Sequence, residues 1–222
     1  MELAPDRMSI YMNTLEIQNI AAIKLIHFLR QIDEFEQLNE NDRILLVKHN
    51  LPLLFVIPRA LTFDSTRELI YDDNLSSTVS PSDEAFAQHC KSLFILCYGY
   101  EFSREFHHIV QMISQLVNKD EIVVQLLLLL MIFSKGLSAN DDQQACLIDH
   151  QYVYRMQSKY TDLLFRYLME KSTFDQAVLQ FIRITEIFIR IQRLFKDFYQ
   201  YIKTKVDIKY INPLMKSLLH LT

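Results

Sequence analysis

The stretch Phe28-Leu-Arg-Gln-Ile-Asp-Glu-Phe35-Glu-Gln-Leu38-Asn-Glu-Asn-Asp42-Arg43-Ile-Leu-Leu46-Val47 decides the fold. Its apolar residues come in two amphipathic blocks with helical spacing. Between them stands a cluster of short polar side chains, Asn39-Glu-Asn-Asp42, of the kind that accepts the orphan N–H groups of a helix start. A helix is therefore expected from Arg43-Ile-Leu-Leu-Val to about Phe63. Pro52 and Pro58 lie inside it and should bend or split it, since each removes a donor and crowds the preceding turn.

Upstream, residues 13–35 hold no Pro or Gly and read as one long helix. Its apolar residues fall on more than one face, which marks a central helix with neighbours on several sides. Downstream, residues 64–83 are loop, with the β-friendly run Leu69-Ile-Tyr71 suggesting a short hairpin near residues 66–72. Helices follow at roughly 84–98, 102–118 and 120–134, with Gly136 as a stop. After a loop at Ser138–Asp142 come long helices at roughly 143–170 and 174–205, the second capped by Ser172-Thr173.

Composition agrees with an all-α fold. Only Gly99 and Gly136 are glycines among 222 residues. Phosphate-wrapping loops need several glycines close together, and β-architectures need frequent turn residues. The net charge of −4 argues against direct nucleic-acid contact. Three cysteines, Cys90, Cys97 and Cys146, make no disulfide framework and fit a reducing compartment. The N-terminus lacks the pattern of a signal peptide. The most apolar run, Ile122–Phe133, is too short to span a bilayer and reads as a deeply buried helix.

Chemistry-bearing patterns are sparse. His89-Cys90 and Cys146-x-x-x-His150 lack the paired spacing of a structural zinc site, and His107-His108 reads as a solvated pair. Asp72-Asp-Asn-Leu-Ser and Asp141-Asp-Gln-Gln-Ala begin like the magnesium-holding acidic motif of an isoprenoid enzyme but lack its closing acid. No nucleophile elbow or zinc-protease helix is present. Neither catalytic residues nor a metal site is expected.

Two amphipathic features remain. In the helix at 174–205 the apolar residues spread over roughly 160°, wider than a usual core stripe. Either this is an inner helix sandwiched between two layers, or the excess arc buries against a second chain. At the C-terminus, Asn212-Pro213 opens a short helix whose doublets Leu214-Met215 and Leu218-Leu219 make an apolar knob pair. So short a helix must dock on the body or stay mobile.

These segments together resemble the ligand-binding domain of nuclear receptors. That family's signature is an aromatic, a small residue and a basic residue, then F-x-x-L-x-x-x-D-[QK]-x-x-L-L. Here it reads Phe28-Leu29-Arg30, then Phe35, Leu38, Asp42, Arg43, Leu46 and Val47, with Lys48 following. Phe63-Asp64 resembles the end of the family's fifth helix. Leu130-Met-Ile-Phe-Ser-Lys-Gly-Leu-Ser resembles the phrase joining its eighth and ninth helices, and Tyr160-Thr-Asp-Leu-Leu-Phe-Arg-Tyr-Leu its ninth. The resemblance spans roughly residues 14–221.

The resemblance implies a three-layer antiparallel helical sandwich over residues 1–222 as one domain. The family's first helix is mostly missing and its DNA-binding zinc module is not found, as expected either of a domain cut from a longer receptor or of a receptor that lacks that module. It implies a coregulator groove at Ile26, Arg30, Arg43, Ile44 and Val47 that accepts L-x-x-L-L helices, Arg30 capping the incoming C-terminus. It also implies an activation helix at Leu214, Met215, Ser217, Leu218 and Leu219. Ser217 stands where the family has Glu, so half the charge clamp is gone. Met215-Lys-Ser-Leu218-Leu219 itself reads M-x-x-L-L and would suit the chain's own groove.

A small lipophilic ligand would meet Ile17, Ala21, Phe55, Val56 and Arg59, with no other cofactor. A homodimer, or a heterodimer with another nuclear receptor, would form through Ile184, Ile187, Ile191, Leu194 and Phe198. Localisation would be nuclear, or shared between nucleus and cytoplasm, without membrane insertion. The rival readings are a ligand-independent helical interaction module with a filled core and, more remotely, an isoprenoid diphosphate enzyme.

Overall fold

A computed structural model describes residues 19–71, 79–134, 147–205 and 211–218. The expected helix over 13–35 divides in two. Residues 19–29 form α1, which tightens at its end as Gln31 and Ile32 donate to Phe28 and Leu29 three residues back. Ile32 is extended (φ −94°, ψ 110°) and starts the short α2, Asp33–Glu36. The acidic first turn of α2 suits a helix start. The break turns Phe35 inward, where it is buried.

α3, Glu40–Val56, begins earlier than Arg43. Asn39 is its cap: its Oδ1 accepts the Asp42 amide at 3.0 Å and its Nδ2 donates to Asp42 Oδ2 at 2.8 Å. That leaves the Asp42 carboxylate for a longer-range task. Only 1 % exposed, it accepts the backbone amides of Ile148 at 2.8 Å and Asp149 at 2.9 Å, more than 100 residues along the chain. α3 passes through Pro52 without ending. Pro58 stops it instead, opening a 3-10 turn, Pro58–Ala60, so the helix does not reach Phe63.

Phe63–Asp64 (β1) pairs antiparallel with Leu69–Ile70 (β2), Phe63 opposite Ile70. The hairpin thus begins before the expected span of 66–72. Phe63-Asp64 is a strand rather than a helix end because the Asp64 carboxylate folds the turn, accepting the amides of Thr66 and Arg67.

α4 is Pro81–Tyr98, begun by a reciprocal Ser80–Asp83 capping box. Gly99 joins it to α5, Tyr100–Val117, at φ 88° and ψ 161°, a conformation open essentially to glycine alone. Left-handed Asn118 ends α5. The apolar run becomes α6, Glu121–Ile132, capped by Asp120 and deeply buried as expected.

α7 is His150–Lys171, capped by Asp149, and starts later than the expected 143. Gly136, the 138–142 loop and Cys146 lie outside the described residues. In α8, Phe174–Lys205, the Thr173 hydroxyl accepts the Gln176 amide at 3.4 Å and Gln176 Oε1 accepts the Thr173 amide at 3.2 Å. α9 is Pro213–Leu218.

The helices stack as a three-layer, all-α sandwich: α3 on α6 and α8, α6 on α7, and α8 on α5 and α7. Helices therefore lie on more than one side of α8, and its wide apolar arc is covered by this same chain. Ile184, Ile187, Phe188, Ile191, Leu194, Phe195 and Phe198 all belong to the buried core. The two family phrases meet there, the Phe133 and Tyr160 rings stacking 5.6 Å apart. Asn50, fully buried, bonds the Leu46 carbonyl of its own helix and the Ile132 carbonyl at the end of α6.

The Asp42 tie carries its own test. Asp42→Ala leaves two backbone amides and the Asn39 amide group without their acceptor, and should cost about 3 kcal/mol. Asp42→Asn keeps one acceptor oxygen and should cost less. Urea midpoints of the two variants would order them.

Candidate functional site

The first component of the site is set by the break after α1. Because the chain turns at Ile32, Glu36 is carried back beside the end of α1 and the start of α3. Its carboxylate lies 2.7 Å from Arg43 Nη1 and 3.7 Å from Arg30 Nε. The two guanidinium groups expected at one groove are thus brought together around a single acid. Exposure separates them: the Arg43 side chain is 29 % exposed and the Arg30 side chain 67 %. Arg43 is anchored, whereas Arg30 is held without a hydrogen bond and is free to swing.

The other expected groove residues occupy different depths. Ile44 is 47 % exposed, Ile26 is half-buried, and Val47 is buried and belongs to the core. One residue missed at the sequence level is Ile23, 42 % exposed. It lies two helical turns before Arg30, hence on the same face, a spacing legible in the sequence. Glu36 was also missed. Its signal was an acid between two arginines near a helix start, which reads as an ordinary first-turn carboxylate until the chain is folded.

The second component is α9. Asn212 caps it, its side-chain oxygen accepting the Leu214 amide at 2.9 Å. Met215 is fully buried in the core, Leu214 packs against it, and the helix rests on α3. Ser217 is half-buried. The side chain of Leu218 and all of Leu219 lie outside the described residues.

The expected pocket residues are dispersed. Ile17 lies outside the description, Ala21 is half-buried, Phe55 packs on the core and Val56 is within it. Arg59 sits half-buried in the 3-10 turn, and its guanidinium joins no hydrogen bond or ion pair among the described residues.

The dimer expectation needs correction. Ile184, Ile187, Ile191, Leu194 and Phe198 are 0–6 % exposed and cannot form a surface. Angular width alone does not reveal which chain covers an arc. The exposed apolar residues of α8, among the described side chains, are Phe174, Leu179, Ile182 and Ile189. A groove of about 850 Å³ also runs between α5 and α8, with Phe102 and Phe198 in its lining and Glu105 and Arg190 at its edge.

Electrostatics around these elements are structural. A hydrogen bond from Lys159 holds the Glu34 carboxyl below its usual value. Burial raises the Tyr160 phenol. His107 and His108 are not an equivalent solvated pair: His108 is exposed, whereas His107 is half-buried against Phe94 and Phe106, its Nδ1 2.7 Å from the Ser103 carbonyl. Burial lowers the His107 imidazole below its ordinary 6.5. Among the described residues no helix is long and apolar enough to cross a membrane, and no group of three or more His, Cys, Asp or Glu side chains could hold a metal.

His107 gives a pH dependence. As pH falls through about 6.5, the unfolded chain takes up a proton before the folded one does, so stability present above that pH is progressively lost. The melting temperature of the wild type should fall between about pH 7 and 5, and His107→Gln should flatten that slope in thermal melts.

A family model described as the ligand-binding domain of nuclear hormone receptor matches residues 7–205. No curated protein matches the sequence. The ordered signature from Phe28 to Val47, the helical sandwich with its single short hairpin among the described residues, and this match agree, and the chain belongs to the ligand-binding domains of nuclear hormone receptors.

Proposed function

We propose that this chain is the coregulator-exchanging, ligand-sensing domain of a nuclear transcription factor, with residues 1–222 acting as one unit and performing no catalysis. The observation that carries the reading is the convergence of Arg30 and Arg43 on Glu36 beside α3, the helix against which α9 buries Met215. An L-x-x-L-L helix would lie over Ile23, Ile26, Ile44 and Val47, with Arg30 meeting its C-terminal carbonyls. Arg43 would hold the rim.

α9 acts as the switch, a small element whose position ligand or partner biases. Ser217 supplies a hydroxyl where the family supplies a carboxylate. The opposite end of a docked helix therefore receives no charge, and the segment from Met215 competes for the same groove. The ligand is a small lipophilic molecule bordered by Ala21, Phe55 and Val56, with the unpaired Arg59 guanidinium available to an acidic or hydroxyl end. The packing of Phe55 and Val56 into the core favours, as a second reading, a domain that exchanges coregulators without any ligand.

Dimerisation with a second copy or another nuclear receptor would use the outer face of α8. Leu179, Ile182 and Ile189 recur there at coiled-coil spacing, with Glu186 between them and Arg193 one turn beyond on the same seam.

Three measurements test these parts. Fluorescence anisotropy with an L-x-x-L-L peptide should show binding that weakens about tenfold in Arg30→Ala and strengthens when residues 212–222 are deleted. Unchanged binding on that deletion would remove α9 as the competitor. Native mass spectrometry and thermal shifts with lipophilic extracts should reveal a stabilising small molecule, and no such molecule would leave the ligand-independent reading. Sedimentation at tens of micromolar should show dimers that Ile182→Asp converts to monomers.

A further inference from the structure

We infer that Glu36 selects the partner of the groove, favouring helices that carry a lysine or arginine just after their last leucine. This rests on the coregulator reading above and adds the chemistry of the partner.

The argument starts from the unequal grip of Glu36 on its two arginines. Oε2 makes a 2.7 Å hydrogen bond with Arg43. Oε1 faces Arg30 Nε at 3.7 Å, outside hydrogen-bond distance, and is buried with no hydrogen-bond partner among the described residues. A buried carboxylate oxygen without a donor is costly, and the nearby charge of Arg30, together with Arg43 on the other oxygen, offsets it.

A docking helix presents carbonyls at its C-terminus that lack intrahelical donors and carry partial negative charge. The exposed Arg30 side chain is the cation able to move to them. When it does, Glu36 Oε1 loses the cation that faces it, and the carboxylate keeps only Arg43, on Oε2. A cation brought by the partner, within about one turn of the helix end, fills the place that Arg30 leaves. A partner carboxylate there would instead meet the charge of Glu36 at close range and be repelled. Without Glu36, Arg30 and Arg43 form an uncompensated positive pair, and the preference reverses.

The test uses three L-x-x-L-L peptides identical except for the two residues after the final leucine: Lys-Lys, Ser-Ser or Glu-Glu. The wild-type chain should bind the Lys-Lys peptide about three- to tenfold more tightly than the Glu-Glu peptide. The difference should shrink as salt is raised. In Glu36→Gln the order should disappear or invert, with overall affinity for the Glu-Glu peptide increased. Arg30→Gln should weaken all three peptides while keeping the order, which separates the capping arginine from the selecting acid.

Equal affinities for the three peptides in the wild type, or the same order in Glu36→Gln, would overturn the role of Glu36 while leaving the groove in place. Absence of binding by every peptide to both proteins would overturn the coregulator reading itself, and this inference with it.

Discussion

The buried carboxylate of Asp42 is the constraint on which the arrangement depends. It sits in the first turn of α3, joins its own cap through Asn39, and receives two amides from the segment entering α7. A buried acid with three donors is stable only if all three are delivered together. The start of α3, its polar cap and the start of α7 are therefore positioned as one unit. Tyr152 and Lys159, farther along α7, reinforce that unit by bonding the Glu34 backbone carbonyl and the Glu34 carboxylate of α2.

What the Asp42 tie stabilises locally is the break between α1 and α3. A continuous helix through residues 13–35 would have carried Phe35 and Glu36 onward along α1. Because the chain instead turns at Ile32, Phe35 enters the core and Glu36 is brought between Arg30 and Arg43. The rim of the candidate groove thus follows from a packing event, the burial of one aromatic ring, rather than from a local preference for an ion pair. Surface ion pairs of this exposure contribute little to stability, so the role proposed for the pair is to hold charges rather than to hold the fold.

The elements legible in the sequence were those specified by local chemistry. The caps at Asn39 and Thr173 and the burial of most of the run Ile122–Phe133, from Val123 on, were legible from nearby residues and appear in the structure. Errors arose where contacts that the sequence alone does not rank chose between locally acceptable options. Phe63-Asp64 could end a helix or begin a hairpin, and the side chain of Asp64 made the turn. His107 and His108 are adjacent and alike in sequence, yet the rings of Phe94 and Phe106 cover one and solvent the other.

By itself the sequence determined the helical class: two glycines and five prolines leave too little turn chemistry for a large sheet, and long runs at helical period leave no other use for the apolar residues. It also placed the starts of α5, α6, α8 and α9 closely, and those of α3, α4 and α7 less so. Only tertiary structure decided that the wide arc of α8 is covered by α3, α5 and α7 rather than by another molecule, that Asp42 serves α7, and that one glutamate stands between two arginines. The reason is physical: periodicity states which face of a helix avoids water, whereas the identity of what covers that face depends on segments a hundred residues away.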